Sequence, residues 1–192
     1  MSVRIIAGKW KGRKLPVPEG LAVRPTSERV REAVFSRLQS MLGDWEGLRV
    51  ADICAGSGAF GIEAVSRGAA HATFVEQDRS AANAILQMFK RLDQTESARI
   101  LCQDARTLPV ATTPYDIVYL DPPYAEGLHI PILERLAQAN WIQDTSILVT
   151  EAQGNDPQLP DYLNSDSCRF ICLAIHQYGK TKTYLLSFRQ DR

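Results

Sequence analysis

Residues 50–61 read Val-Ala-Asp-Ile-Cys-Ala-Gly-Ser-Gly-Ala-Phe-Gly, an apolar stretch that passes through Gly56, Gly58 and Gly61 into a helical pattern. A strand that enters a helix through G-x-G-x-x-G needs a tight turn whose backbone comes close to a ligand, and such turns belong to parallel sheets. The flanking sequence repeats the theme. Residues 48–54 read as a strand, 60–67 as a helix closed by Gly68, and 71–76 as a strand. A helix over 80–92, strands over 99–103 and 116–120, a helix over 128–139 and a strand over 146–151 continue it. This alternation predicts an α/β fold, a doubly wound and mostly parallel sheet with helices on both faces. Beyond Pro160, residues 168–176 and 182–188 meet at Tyr178-Gly179-Lys180 and predict an antiparallel edge hairpin.

Upstream, residues 1–45 form a small basic N-terminal arm, and 46–192 form the main domain. Residues 3–7 alternate weakly, as a strand would, and 14–18 are bounded by proline and extended. Thr26 or Ser27 suits the N-cap of a helix on which Val30, Val34, Leu38 and Met41 or Leu42 share a face, ended by Gly43 and Asp44.

Carboxylates end three successive strands: Asp52, Glu76 and Asp104. Glu76 lies twenty residues after Gly56 and can accept both hydroxyls of an adenosine ribose. Gly56 and Gly58 let the backbone turn and approach the ligand, whereas Gly61 equally suits helix packing. These features fit both a nicotinamide dinucleotide and S-adenosylmethionine. Asp52 tips the balance, because it would repel a pyrophosphate but attract the ammonium of a methionine moiety. Asp104 is placed to accept from an adenine amino group, although taken alone it reads as a solvated strand cap.

The tetrapeptide Asp121-Pro122-Pro123-Tyr124 follows the apolar run Tyr115, Ile117, Val118, Tyr119, Leu120. An exocyclic amine on a base is a poor nucleophile, because its lone pair is delocalised into the ring. Acceptors on its two hydrogens, the Asp121 carboxylate and the Pro122 carbonyl, help it to pyramidalise. Proline brings no competing backbone donor. Tyr124 can stack on the base. The expected chemistry is methyl transfer to such an amine.

Equal numbers of acids and bases conceal a polarity along the chain. Residues 1–37 carry nine Lys/Arg against three Glu, 38–167 eight against eighteen, and 168–192 five against one. Basic ends around an acidic middle suit a polyanion. Lys9, Lys11, Arg13 and Lys14, interleaved with glycine and Trp10, suggest phosphate tracking with ring stacking. Cys54, Cys102, Cys168 and Cys172 lack metal or disulfide spacing and read as reduced, mostly buried thiols; the three histidines are scattered, so no metal is expected. No apolar run is long enough for a membrane span and no signal peptide is evident, so the expectation is a cytoplasmic protein without membrane partners; a monomer is expected, although the sequence does not fix the oligomeric state.

The Asp-Pro-Pro-Tyr turn resembles that of the amino-methyltransferases of adenine N6, cytosine N4 and guanine N2. Arg4-Ile5-Ile6-Ala7-Gly8, Lys11-Gly12-Arg13, Arg24-Pro25-Thr26, Arg29-Val30-Arg31-Glu32, Gly61-Ile62-Glu63-Ala64, Ser66-Arg67-Gly68-Ala69, Phe74-Val75-Glu76 and Tyr178-Gly179 with Thr181 extend the likeness over nearly the whole chain. They resemble the bacterial family that methylates N2 of one guanine in 16S ribosomal RNA of the small subunit. The resemblance implies a Rossmann-like methyltransferase fold, S-adenosylmethionine as cofactor and a 30S particle or assembly intermediate as substrate. It places Asp121, Pro122 and Tyr124 in the catalytic turn and Asp52, Gly56, Gly58 and Glu76 in the cofactor site. Arg24, Arg29 and Arg31 could sit between RNA and the cofactor mouth; for Arg29 and Arg31 a contact to either, or a solvated helix charge, fits equally. Cys54, Glu28 and Lys180 depart from the residues usual at their positions. The competing readings are an adenine-N6 methyltransferase of DNA or another RNA, a nicotinamide-dependent oxidoreductase, and a non-catalytic assembly factor.

Overall fold

A computed structural model describes residues 3–15, 28–123 and 126–190. Arg24, the expected N-caps Thr26 and Ser27, and Tyr124 lie outside the described residues. The chain divides into two compact units, Met1–Gln103 and Asp104–Arg192, and carries a seven-stranded, mostly parallel sheet of Rossmann-like α/β type.

The first unit opens with β1 (Val3–Arg4) and β2 (Lys14–Leu15), a short antiparallel pair. Helix α1 (Glu28–Leu42) follows. Its buried face is Val30, Arg31, Val34, Phe35 and Leu38. Met41, expected on that face, is 46% exposed, because the last turn runs past the apolar layer. Then come β3 (Arg49–Ile53), α2 (Ala59–Arg67), β4 (His71–Val75), α3 (Arg79–Arg91) and β5 (Ala98–Leu101). Strands run parallel in the order β5-β4-β3, with Arg49 beside His71 and Ala72 beside Ala98. Gly68 closes α2 at φ 123°, a conformation that favours glycine. Asp78 caps α3 by accepting from Ala81 N, and Lys90 and Arg91 complement its C-terminal dipole.

The second unit holds β6 (Ile117–Leu120), α4 (His129–Gln138), β7 (Ile147–Gln153), α5 (Gln158–Leu163), β8 (Phe170–Tyr178) and β9 (Thr181–Phe188). All four residues of β6 are buried, as a strand covered on both faces must be. β6 and β7 are parallel; β9 returns antiparallel to β7, and β8 pairs with β9 as the expected hairpin. β8 carries a bulge between Cys172 and Ala174, which blunts an edge strand against further pairing. Helix α5 stands where the pattern predicts only a break at Pro160. Pro160 stands in its first turn, where a missing N–H costs no helical bond. Cys102 and Cys172 are exposed rather than buried. Among the described residues, no helix is long and apolar enough to cross a membrane, and no group of three His, Cys, Asp or Glu is placed to hold a metal ion.

Candidate active site

The glycine turn is shaped by left-handed backbone. Past β3 the chain adopts φ 58° at Cys54, 53° at Gly56 and 69° at Gly58. Cys54 is a non-glycine residue in a region that costs ~1–2 kcal/mol, and strain of this kind gathers at ligand sites. No composition or spacing signal marks it beforehand. A Cβ on Gly58 would lie 2.9 Å from Ile85 Cγ1. On Gly61 it would lie 2.4 Å from Phe74 Cε1, inside a ring that is fully buried and packed on Phe89. Gly61 is therefore a packing glycine, while Gly56 and Gly58 shape the turn.

Two carboxylates hold this turn. Glu76 Oε2 accepts from Gly56 N at 2.7 Å and Oε1 from Asp78 N at 2.8 Å, so the acid at the end of β4 tethers both the turn and the entry to α3. A carboxylate offers about four lone-pair positions; two remain for a ribose diol. Asp52 is 2% exposed, and its Oδ2 accepts from Gly61 N at 2.8 Å, fixing the first turn of α2 to the strand end. No side chain caps α2 at Gly58. The positive end of its dipole favours negative charge, which Asp52 supplies in part and to which the carboxylate of a methionine moiety would add. This donor and acceptor set fits S-adenosylmethionine.

The basic segment that precedes β2 is tightly folded against α2. Glu63, fully buried, accepts from Ile6 N at 2.6 Å and Ala7 N at 2.9 Å, and pairs with Arg67 Nε at 2.9 Å. Ser66 Oγ accepts from Trp10 N and donates to Ala7 O, while Ser66 O accepts from Lys9 N. Gly8 sits at φ 80°, where a Cβ would fall 1.9 Å from Ser66 O, so the approach requires glycine. Trp10, expected to stack on bases, is instead 6% exposed with its ring edge-on to Phe89 at 6.1 Å. The apolar ring plugs the core and leaves only the charges outside. Lys9, Lys11, Arg13, Lys14 and Arg29 are exposed. Lys9 Nζ lies over Trp10 and donates to Gln94 Oε1. Arg31 is a correction: it is 3% exposed and its guanidinium donates to Arg4 O, so it holds β1 to α1 and has no surface to offer a phosphate.

In the second unit, Asp121 is half-buried at the end of β6, Pro122 is buried and Pro123 exposed. Thr150 Oγ1 donates to Leu120 O at 2.9 Å, and Tyr119 OH donates to Glu151 Oε1 at 2.6 Å. His129 Nε2 donates to the Glu151 carbonyl at 2.7 Å. Burial lowers the His129 pKa below its ordinary value, so the imidazole is neutral at pH 7. None of these partners was singled out by sequence; only the β6/β7 register, Leu120 beside Thr150, brings them together. Asp104 caps the short turn Ala105–Thr107, accepting from Arg106 N at 2.8 Å and pairing with its guanidinium at 2.6 Å, which lowers the carboxyl pKa. Both its oxygens face Arg106, so an adenine amino group would have to share them.

The protein family described as Conserved hypothetical protein 95 matches residues 3–185. Ribosomal RNA small subunit methyltransferase D of Escherichia coli K12 is 39% identical over 152 residues, 79% of this chain and 75% of that one. Its Haemophilus influenzae namesake is 36% identical over 159 residues, 81% of each chain. The chain belongs to this methyltransferase D family. The fold agrees: the solved structure of the E. coli protein yhhF covers all of both chains at TM-score 0.82 and 30% identity. The H. influenzae protein HI0767 covers 99% of this chain at TM-score 0.79 and 29% identity. The chain is thus a methyltransferase, and the oxidoreductase and non-catalytic readings fall away.

Proposed function

We propose that this methyltransferase transfers a methyl group from S-adenosylmethionine to the exocyclic N2 amine of a guanine in small-subunit ribosomal RNA, on the 30S particle or an assembly intermediate. The observation that carries the reading is Asp121-Pro122 at the end of a wholly buried strand. There a half-buried carboxylate and a proline carbonyl provide acceptors, and Pro122 and Pro123 bring no backbone N–H to compete. The relatives' names supply the substrate class.

Bound cofactor supplies a methyl group on a positively charged sulfur. The protein's residues do the rest by positioning. Glu76 and the Gly56–Gly58 turn hold the adenosine and methionine ends. Asp121 and the Pro122 carbonyl take the two amine hydrogens, which returns the lone pair to nitrogen and aims it at the methyl carbon. Tyr124 stacks on the ring. The amine would take the methyl group as the sulfur kept the electrons of the broken C–S bond, and the surplus proton would pass to Asp121 or water. Lys9, Lys11, Arg13, Lys14, Arg24 and Arg29 hold phosphates, so that the arm of residues 1–45 serves RNA and the remainder serves chemistry. The base leaves its stack at a cost of a few kcal/mol, less from a loop.

The test is transfer of labelled methyl to 30S subunits and to protein-free 16S RNA, both from cells lacking this protein, with the product nucleoside identified. N2-methylguanosine at one site supports the reading. N6-methyladenosine would replace it with the adenine alternative, and no transfer to either would remove the ribosomal substrate.

A further inference from the structure

The catalytic turn is anchored to two neighbouring residues of β7: Thr150 and Glu151 hold the strand that enters it, and Glu151 alone also holds the helix that follows. The β6/β7 register ends at Leu120 beside Thr150, yet β7 runs on to Gln153, paired there with β9. Its last residues therefore flank the chain as it leaves β6. Thr150 Oγ1 holds the carbonyl that immediately precedes Asp121. Glu151 Oε1 holds the hydroxyl of Tyr119, two residues before Asp121 and on the same side of the strand. On the far side of the turn, His129 at the start of α4 reaches the Glu151 carbonyl.

Tyr119, His129, Thr150 and Glu151 are 6%, 4%, 0% and 2% exposed. Four polar groups buried together cost stability unless all are satisfied; an apolar filling would hold the sheet as well. Placed at the root of a turn that must aim two acceptors at one nitrogen, they have a use an apolar filling lacks. Polar bonds fix direction, whereas apolar contact fixes only volume.

We propose that Thr150 and Glu151 are positioning residues of the methyl transfer, bracing the Asp121-Pro122 turn from both sides so that its carboxylate and carbonyl meet the amine. This rests on the proposed amine methylation. Because misplacement of a reacting group by about 1 Å costs roughly 100-fold in rate, loosening the brace lowers kcat and leaves the binding of cofactor and RNA alone.

The experiment compares wild type, Thr150→Val, Thr150→Ser, Tyr119→Phe and Glu151→Gln in methyl transfer to 30S subunits, with rates taken per cofactor-binding site. Calorimetric titration with S-adenosylmethionine counts the folded fraction, so loss of fold is not mistaken for loss of rate. Thr150→Val and Tyr119→Phe are expected to lower kcat by about ten- to hundred-fold, with KM for 30S and cofactor affinity within about twofold. Thr150→Ser restores the hydroxyl and most of the rate; Glu151→Gln, which keeps an acceptor for Tyr119, falls between. Wild-type kcat in both Thr150→Val and Tyr119→Phe, beside an active wild type, overturns the brace alone. Losses confined to KM or cofactor affinity overturn it too. A wild type that methylates no RNA removes the reading and the brace with it.

Discussion

Replacing Glu63 by alanine tests how the basic segment is held. The fully buried carboxylate has three charge-assisted partners, Ile6 N, Ala7 N and Arg67 Nε. Alanine leaves two amides without an acceptor and a guanidinium without its counter-ion. Breaking a buried pair in this way costs about 3–5 kcal/mol. For a chain of this length each kcal/mol lowers the melting temperature by ~2–4 °C, so Glu63→Ala should melt about 6–20 °C below wild type. Glu63→Gln keeps the shape and one acceptor but turns an amide donor toward the other N–H; its cost is about 1.5–3 kcal/mol. Calorimetry gives the order wild type, Gln, Ala. Amide exchange should accelerate at Ile6, Ala7 and Trp10 first, while Gly61, held by Asp52, keeps its protection. An alanine variant that melts within ~2 °C of wild type, or unchanged exchange at Ile6 and Ala7, would refute the clamp.

Glu76→Ala removes the acceptor of Gly56 N and Asp78 N together with the proposed ribose acceptor, and cofactor affinity by titration calorimetry should fall about ten- to hundred-fold. Neutralising Lys9, Lys11, Arg13 and Lys14 together should weaken RNA binding and reduce the slope of log K against log salt by roughly three, at about 0.7–0.9 per phosphate lost, with cofactor affinity unchanged; an unaltered slope would move the RNA elsewhere. His129 is held neutral by burial, below its ordinary 6.5, so the unfolded chain takes the proton first as pH falls. The stability this group contributes is complete above that value and is lost as pH drops through it toward the folded pKa, as it is for His71, lowered by burial and by Arg49. The melting temperature should therefore fall as pH drops through the ordinary 6.5 and below it, and His129→Gln, which can still donate to Glu151 O, should flatten part of that fall.

The strand–helix succession was legible because each element's signal is local. The glycine turn, the buried apolar run of β6 and the Tyr178-Gly179-Lys180 reversal all announce themselves within a few residues. The acids at the ends of β3 and β4 were legible for the same reason. Trp10 was misread because its partners, Ser66 and Phe89, lie far along the chain, and a tryptophan among lysines looks the same whether its ring faces outward or in. Arg31 was misread on the same ground, since only the fold brings the Arg4 carbonyl to it. The brace at Thr150 and Glu151 was invisible because it exists only in the register of two parallel strands. Helix α5 was hidden by Pro157 and Pro160, which signal a break more strongly than a short helix signals itself.

The clamp on α2 also sets an order of events during synthesis. The segment carrying Lys9, Lys11, Arg13 and Lys14 emerges first, but Ser66 and then Phe89 must follow before Trp10 has a seat. Phe89 lies about 80 residues behind Trp10, a delay of roughly 4–16 s at ordinary translation speed. For that interval a cationic stretch with an exposed indole trails from a ribosome, itself the largest polyanion nearby. The segment therefore docks late, onto a first unit whose α2 and α3 have already been made.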